Sequence, residues 1–123
     1  MKPIRIDKKM SGPEKAHQGI LNIWMASGDI LSYQYEPWTF LLSGRQLKYT
    51  PDYLVVYFDH FEIHEIKVGI VDKKTGKIIP YFKNKTQEGT LKMAAHQYPW
   101  FKFKLFWYWG DRYNKFDMRE IKI

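Results

Sequence analysis

The stretch YTPDYLVVYFDHFEIHEIKVG, Tyr49 to Gly69, constrains this chain more than any other. It is dense in β-branched and aromatic residues, which suit a pleated, half-buried surface. The spacing predicts an antiparallel hairpin of residues 49–58 against 61–69, closed at Asp59 and His60, with Asp52 facing Lys67 and Leu54 facing Glu65. Side chains alternate with period two, so Asp52, Glu65 and Lys67 project from one face near the open end of the hairpin. A slip of one residue would separate Asp52 from the other two. Two converging carboxylates repel unless a cation holds them, and hard oxygen ligands with room for water suit Mg²⁺ or Mn²⁺. A lysine beside them suits an anionic oxygen or a nucleophilic water, and a metal there activates water and neutralises a phosphodiester. By pattern alone, the commoner meaning of Glu-x-Lys on a strand is a solvated sheet face, and Thr-Pro-Asp also serves simply to open a strand.

Around this hairpin the chain predicts an order of helix, meander, helix and strand. In SGPEKAHQGILNIWMASG, Ser11 and Glu14 form the capping-box pattern, Pro13 fits a first turn, and Gly28 is a natural stop. The helix spans about residues 12–26, with an inward stripe of His17, Ile20, Leu21, Trp24 and Met25. Glu14 lies one turn before His17 on that face, where it can add a third carboxylate; alone it is more simply a cap. From Ile30 to Val71 three or four strands are expected, broken at Pro37, residues 43–45 and Asp59-His60. Residues 72–77 read as a solvated turn. IIPYF, from Ile78, is an edge strand or no strand because of Pro80. TQEGTLKMAAHQYP carries a second helix with Leu91, Ala95 and Tyr98 on one face, Lys92 and His96 beside it, and an end before Pro99. WFKFKLFWYWG and FDMREIKI read as strands.

No repeat, low-complexity stretch or linker divides the 123 residues, so one domain over 1–123 is expected, with a loose basic start over 1–10. The fold class is α/β, a mixed, largely antiparallel central sheet flanked by helices. Lys plus Arg number 20 against 13 Asp plus Glu, a formal +7 that favours a polyanionic partner, DNA or RNA before an anionic membrane surface. Cysteine is absent, which excludes disulfides and thiolate chemistry. No apolar run approaches the ~18 residues of a membrane span and the start lacks a signal-peptide core, so a soluble intracellular protein is the expectation. The serines have no companion pattern for nucleophilic catalysis, and no phosphate-cradling glycine loop exists. His60 and His64 lack a His/Cys cluster for zinc, and His64 alternates away from Glu65. The aromatics from Phe101 onward suit core packing better than base stacking, while Lys102 and Lys104 give that strand a wet, basic face and a phosphate track.

The ordered set SGPE, YTPDYLVV and FEIHEIKVG resembles the PD-(D/E)XK restriction-endonuclease-like superfamily. It is similar to the junction-resolving endonuclease I of short-tailed phages and, through HEIKVG and LKMAAHQYPWFKFKLF, to small phage proteins regarded as nucleases. The likeness runs from about Met10 to Trp107. The resemblance implies that Asp52, Glu65 and the main-chain carbonyl of Ile66 bind the divalent metal. It also implies that Lys67 is the catalytic lysine, that Glu14 completes the site and that Lys92 touches the DNA backbone. Three departures stand out. Val68 occupies the place of the usual glycine, with Gly69 one position late, which predicts a bulge or altered access. IVDKKTGKIIPYFKNK is longer than expected, so that Lys73, Lys74, Lys77, Lys83 and Lys85 could form an added binding loop. Thr90 stands where a basic residue is expected.

The reading is therefore a Mg²⁺-dependent DNA endonuclease, phage-encoded and acting in the host cytoplasm. Branched or junction DNA is the first choice of substrate, and junction cleavage favours a homodimer so that two strands are cut. The rivals are a non-cleaving DNA-binding accessory on the same fold, and an unrelated basic nucleic-acid binder whose acidic residues form only a surface cluster.

Overall fold

A computed structural model describes residues 10–42 and 47–122. The loose start expected over 1–10 lies, but for Met10, outside the described residues, as does the break expected at 43–45. Helix α1, Gly12–Ser27, is capped as its sequence requires: the Ser11 hydroxyl accepts from the Glu14 N–H, the Glu14 carboxylate accepts from the Ser11 N–H, and Gly28 closes the helix in the left-handed region at φ 85°. Pro13, His17 and Leu21 are buried, Ile20 and Trp24 are half-buried, and Met25, expected on the inward stripe, is 42% exposed at the last turn.

Among the described residues, strands β1 (Ser32–Tyr35), β4 (Tyr53–Val56), β5 (Phe61–Val71), β7 (Lys102–Trp109) and β8 (Lys115–Ile121) form a sheet in the order β1-β4-β5-β7-β8. The short β6, Ile78–Pro80, is added at the end of β5, with Pro80 opposite Gly69 on an edge that tolerates its missing N–H. Every pairing is antiparallel except β5 with β7, which run parallel and are joined through helix α2, Lys85–Gln97. Strands β2 (Phe40–Leu42) and β3 (Leu47–Tyr49) pair as a separate hairpin instead of joining the expected meander. The expected α/β class, a largely antiparallel sheet with helices, is the class found.

Helix α1 packs on one face of the sheet through Leu21, Ile30, Tyr53, Val55, Ile66 and Phe106. On the other face, α2 and the β2–β3 hairpin close over Leu54, Ile63, Phe103 and Leu105 through Leu91, Ala94, Phe40 and Tyr49. Because β5 alternates, Glu62 and His64 turn toward α1 while Ile63, Glu65 and Lys67 turn toward α2. Among the described residues no helix is long and apolar enough to cross a membrane.

Candidate active site

The β4–β5 hairpin differs from the expected one in register. Tyr53 pairs with His64 and Val56 with Phe61, displaced by two residues from a pairing of Asp52 with Lys67. The cause is the turn: Tyr57 and Phe58, strand formers by type, leave the ladder, the Tyr57 N–H donates to the His60 carbonyl at 2.9 Å, and the Tyr57 ring stacks on the His60 ring. An even displacement keeps every side chain on its face, so Asp52 now lies across from Glu65.

Asp52 sits just before β4, and its Oδ2 accepts from the Ile66 N–H at 2.7 Å. From the opposite face of the sheet, the first turn of α1 brings the Glu14 carboxyl within hydrogen-bonding reach of Asp52. The Tyr53 hydroxyl fastens that turn by donating to the Glu14 main-chain carbonyl at 2.9 Å. Glu65 is buried; its Oε1 accepts from the Tyr49 hydroxyl at 2.6 Å and its Oε2 lies 3.3 Å from Lys67 Nζ. Lys67 Nζ also stands 5.3 Å from the centre of the Phe82 ring, a second attraction holding it in place.

Three carboxyls thus meet one ammonium. Burial, the charge of Glu65 and the neighbouring Glu14 push the Asp52 carboxyl well above its ordinary range, against the pull of the Ile66 N–H. Burial also pushes Glu65 up, and Lys67 and Tyr49 offset this only in part. Burial and the same carboxylates push the Tyr49 hydroxyl up as well. Beside the group lies an open groove of about 330 Å³ between β3 and the start of α2, lined by Lys48, Tyr49, Glu65, Lys67, Asn84 and Thr90.

Among the described residues no three His, Cys, Asp or Glu side chains form a ready-made metal-binding group. The donor chemistry at Asp52 and Glu65 nevertheless fits a hard divalent ion: two carboxylates and the nearby Ile66 carbonyl offer only oxygen, and burial, with the neighbouring carboxylates, pushes both acids toward a proton. Gly69 has a local reason unconnected with access, since a Cβ there would meet Ile78 Cγ2 at 2.8 Å and Trp107 Cδ1 at 3.2 Å. The expected bulge is absent, because β5 and β7 pair without a slip from Glu62 to Val68.

The basic residues scatter. Lys73 and Lys74 are exposed in the turn between β5 and β6, and Lys102 is exposed at the opposite end of β5's partner strand β7. Lys92 is exposed on α2 and lies 3.7 Å from Glu88. Lys104 does not face a wet track: it turns toward α1, where its Nζ is 2.9 Å from the buried Glu62. Histidines 60 and 64 join a different cluster, around the buried Glu62. Tyr49 and Lys48 were not singled out by sequence reasoning; the one available signal was that YTPD places a tyrosine two residues before a proline-opened strand, with a lysine beside it.

Comparison with known families, curated proteins and solved structures gives no match to this chain.

Proposed function

We propose that this protein is a Mg²⁺-dependent endonuclease that hydrolyses DNA phosphodiester bonds, encoded by a phage. The observation that carries the reading is the opposed pair Asp52 and Glu65, both acids pushed up, with Lys67 3.3 Å from Glu65 at the wall of an open polar groove. Asp52, Glu65 and the Ile66 carbonyl would hold the ion, with Mn²⁺ able to substitute. When bound, it supplies an acidified water and neutralises charge on the phosphate. Lys67 donates to a phosphate oxygen or orients the attacking water, Tyr49 fixes the rotamer of Glu65, and Glu14 adds negative charge that strengthens cation affinity. Lys48, on the groove wall, offers a positive contact for the neighbouring phosphate.

Branched DNA is the first substrate to test, and a homodimer would place two such sites for two strands. The non-cleaving accessory has one observation in its favour: the ion pair with Glu65 already engages Lys67. The deciding experiment incubates wild type and Asp52→Ala with a four-way junction and a matched linear duplex, in Mg²⁺, Mn²⁺ or EDTA, scoring cleavage and binding together. Cleavage by the wild type alone, and only with metal, is the expected result. Binding without cleavage in every condition would replace the nuclease with the accessory.

A further inference from the structure

The outer strands of the sheet are β1 and β8, and they end it differently. Strand β1 has four residues, and its Tyr33 hydroxyl is held by Gln18 and Asn22 of α1. Strand β8 has seven, pairs with β7 without a slip, and carries neither proline nor glycine. Among the described residues nothing pairs with its outer edge. The Met118 N–H marks that edge: it donates to the carboxylate of Asp117 on its own strand at 2.8 Å. The main-chain groups of Phe116, Met118 and Glu120 therefore point away from β7, and a long free edge of this kind is a template for another strand.

Side chains on β8 alternate between the two layers. Arg119 lies 3.6 Å from Glu88 of α2, and the Phe116 ring stacks on Tyr108 at 5.2 Å, so Lys115, Asp117 and Arg119 face the α2 side while Phe116, Met118 and Glu120 face the α1 side. Phe116 and Met118 are left 41% and 40% exposed. Over residues 115–122 the cations Lys115, Arg119 and Lys122 stand against the acids Asp117 and Glu120, so this edge is close to neutral on a chain of formal charge +7. An antiparallel partner must join outward main-chain groups to outward ones. A second β8 centred on Met118 does so and sets Asp117 opposite Arg119 of the other copy twice, with Met118 opposite Met118 and Phe116 diagonal to it. Centring on Asp117 instead sets Asp117 against itself and Lys115 against Arg119, and centring on Arg119 sets Arg119 against itself. Charge thus selects one register, and that register covers the exposed Phe116 and Met118.

We infer that β8 is a self-association edge, pairing antiparallel about Met118 with β8 of a second copy to make one continuous sheet. Met118 lies in one row with Phe106 and Ile66. A two-fold axis at Met118 therefore brings the Ile66 rows of both copies into line, about 24 Å apart over five strand spacings, with Glu65 and Lys67 of each on the α2 side. The proposal deepens the nuclease reading and rests on it only for the claim that two such sites cut two strands; association itself needs neither metal nor DNA.

The test is sedimentation equilibrium, in EDTA and without DNA, on the wild type, Arg119→Asp, Asp117→Arg and an equimolar mixture of the two variants. Both positions are exposed, so the fold is spared. The wild type should be dimeric. Each variant alone sets like charges opposite one another twice and should associate about tenfold or more weakly. The mixture should recover a heterodimer, because the cations of one variant then face the acids of the other. A monomeric wild type overturns the proposal, as does association that is unchanged in the single variants or not recovered in the mixture. A wild type that dimerises through this edge but cuts no DNA in Mg²⁺ leaves the inference standing and removes the nuclease, and a monomer that cuts does the reverse.

Discussion

Strand β5 carries a buried polar cluster on each face, built from alternate residues. Toward α1, Glu62 and His64 belong to a chain of hydrogen bonds: Tyr108 hydroxyl to His17 Nδ1 at 2.6 Å, His17 Nε2 to His64 Nδ1 at 2.8 Å, and His64 Nε2 to Glu62 at 2.8 Å. The Glu62 carboxylate also meets His60 Nε2 at 2.7 Å and Lys104 Nζ at 2.9 Å. The proton assignment that satisfies every atom has Tyr108 donating to His17, His17 to His64 and His64 to Glu62, with both rings neutral. Burial, with His64 as neighbour, lowers His17 well below its ordinary value, and burial lowers His64 despite Glu62. Toward α2, Glu65 and Lys67 face Asp52, which Glu14 reaches from the α1 side, and the group holds more carboxyls than ammonium groups. Charge in the first cluster is matched from within the chain; in the second, three carboxyls share one ammonium. A network whose charges balance holds an element in place, and one with surplus negative charge is where the proposed cation would act.

Removing Glu62 should have the largest effect on the folded state. Burial works against its charge, yet the bonds from His64, His60 and Lys104 outweigh it and hold the Glu62 carboxyl down at about 2. Glu62→Ala leaves Lys104 and the histidine chain without their acceptor and should cost about 3–5 kcal/mol, lowering the Tm by more than about 10 °C. Thermal denaturation followed by circular dichroism measures this.

On the other face, Asp52→Ala should leave the fold intact and reduce metal-dependent cleavage by about a hundredfold or more, read from single-turnover rates on the four-way junction. A Tm drop as large as that of the Glu62 variant would erase the distinction between the two clusters.

A smaller effect has the opposite sign. Asp52→Asn removes a repelling charge, so in EDTA near neutral pH it should raise stability by about 1 kcal/mol and the Tm by roughly 2–6 °C. Its dependence on pH sharpens the comparison. A carboxyl raised on folding favours the folded state below the unfolded carboxylate pKa of about 4, and that favour is lost as pH rises through its folded value. The gain from Asp52→Asn should therefore widen with rising pH and vanish toward about pH 4. Histidines lowered on folding behave oppositely: their stabilisation is present above the unfolded value of about 6.5 and is lost as pH falls below it. Melting curves of Asp52→Asn in EDTA should keep this acid-side loss.

Local chemistry made much of the fold legible. Ser11, Pro13, Glu14 and Gly28 mark both ends of α1 within a few residues of chain, and β7 follows from its aromatic content. The hairpin register was not legible, because Tyr57 and Phe58 have strand propensity and only the folded turn shows them outside the ladder. The site survived because the displacement was even. The departure of β2 and β3 into their own hairpin is set by packing on α2, a tertiary effect that propensity does not carry. His17 and His64 are 47 residues apart, yet each falls on an inward position of its element. Two polar side chains aimed into one core must find partners, and that was the signal for their bond.

A cation site at Asp52 and Glu65 is open to calorimetric titration of Mg²⁺ and Mn²⁺ into the wild type and Asp52→Asn without DNA. Both ions should bind the wild type saturably and the variant not at all. No binding to the wild type, or equal binding to both proteins, would contradict it.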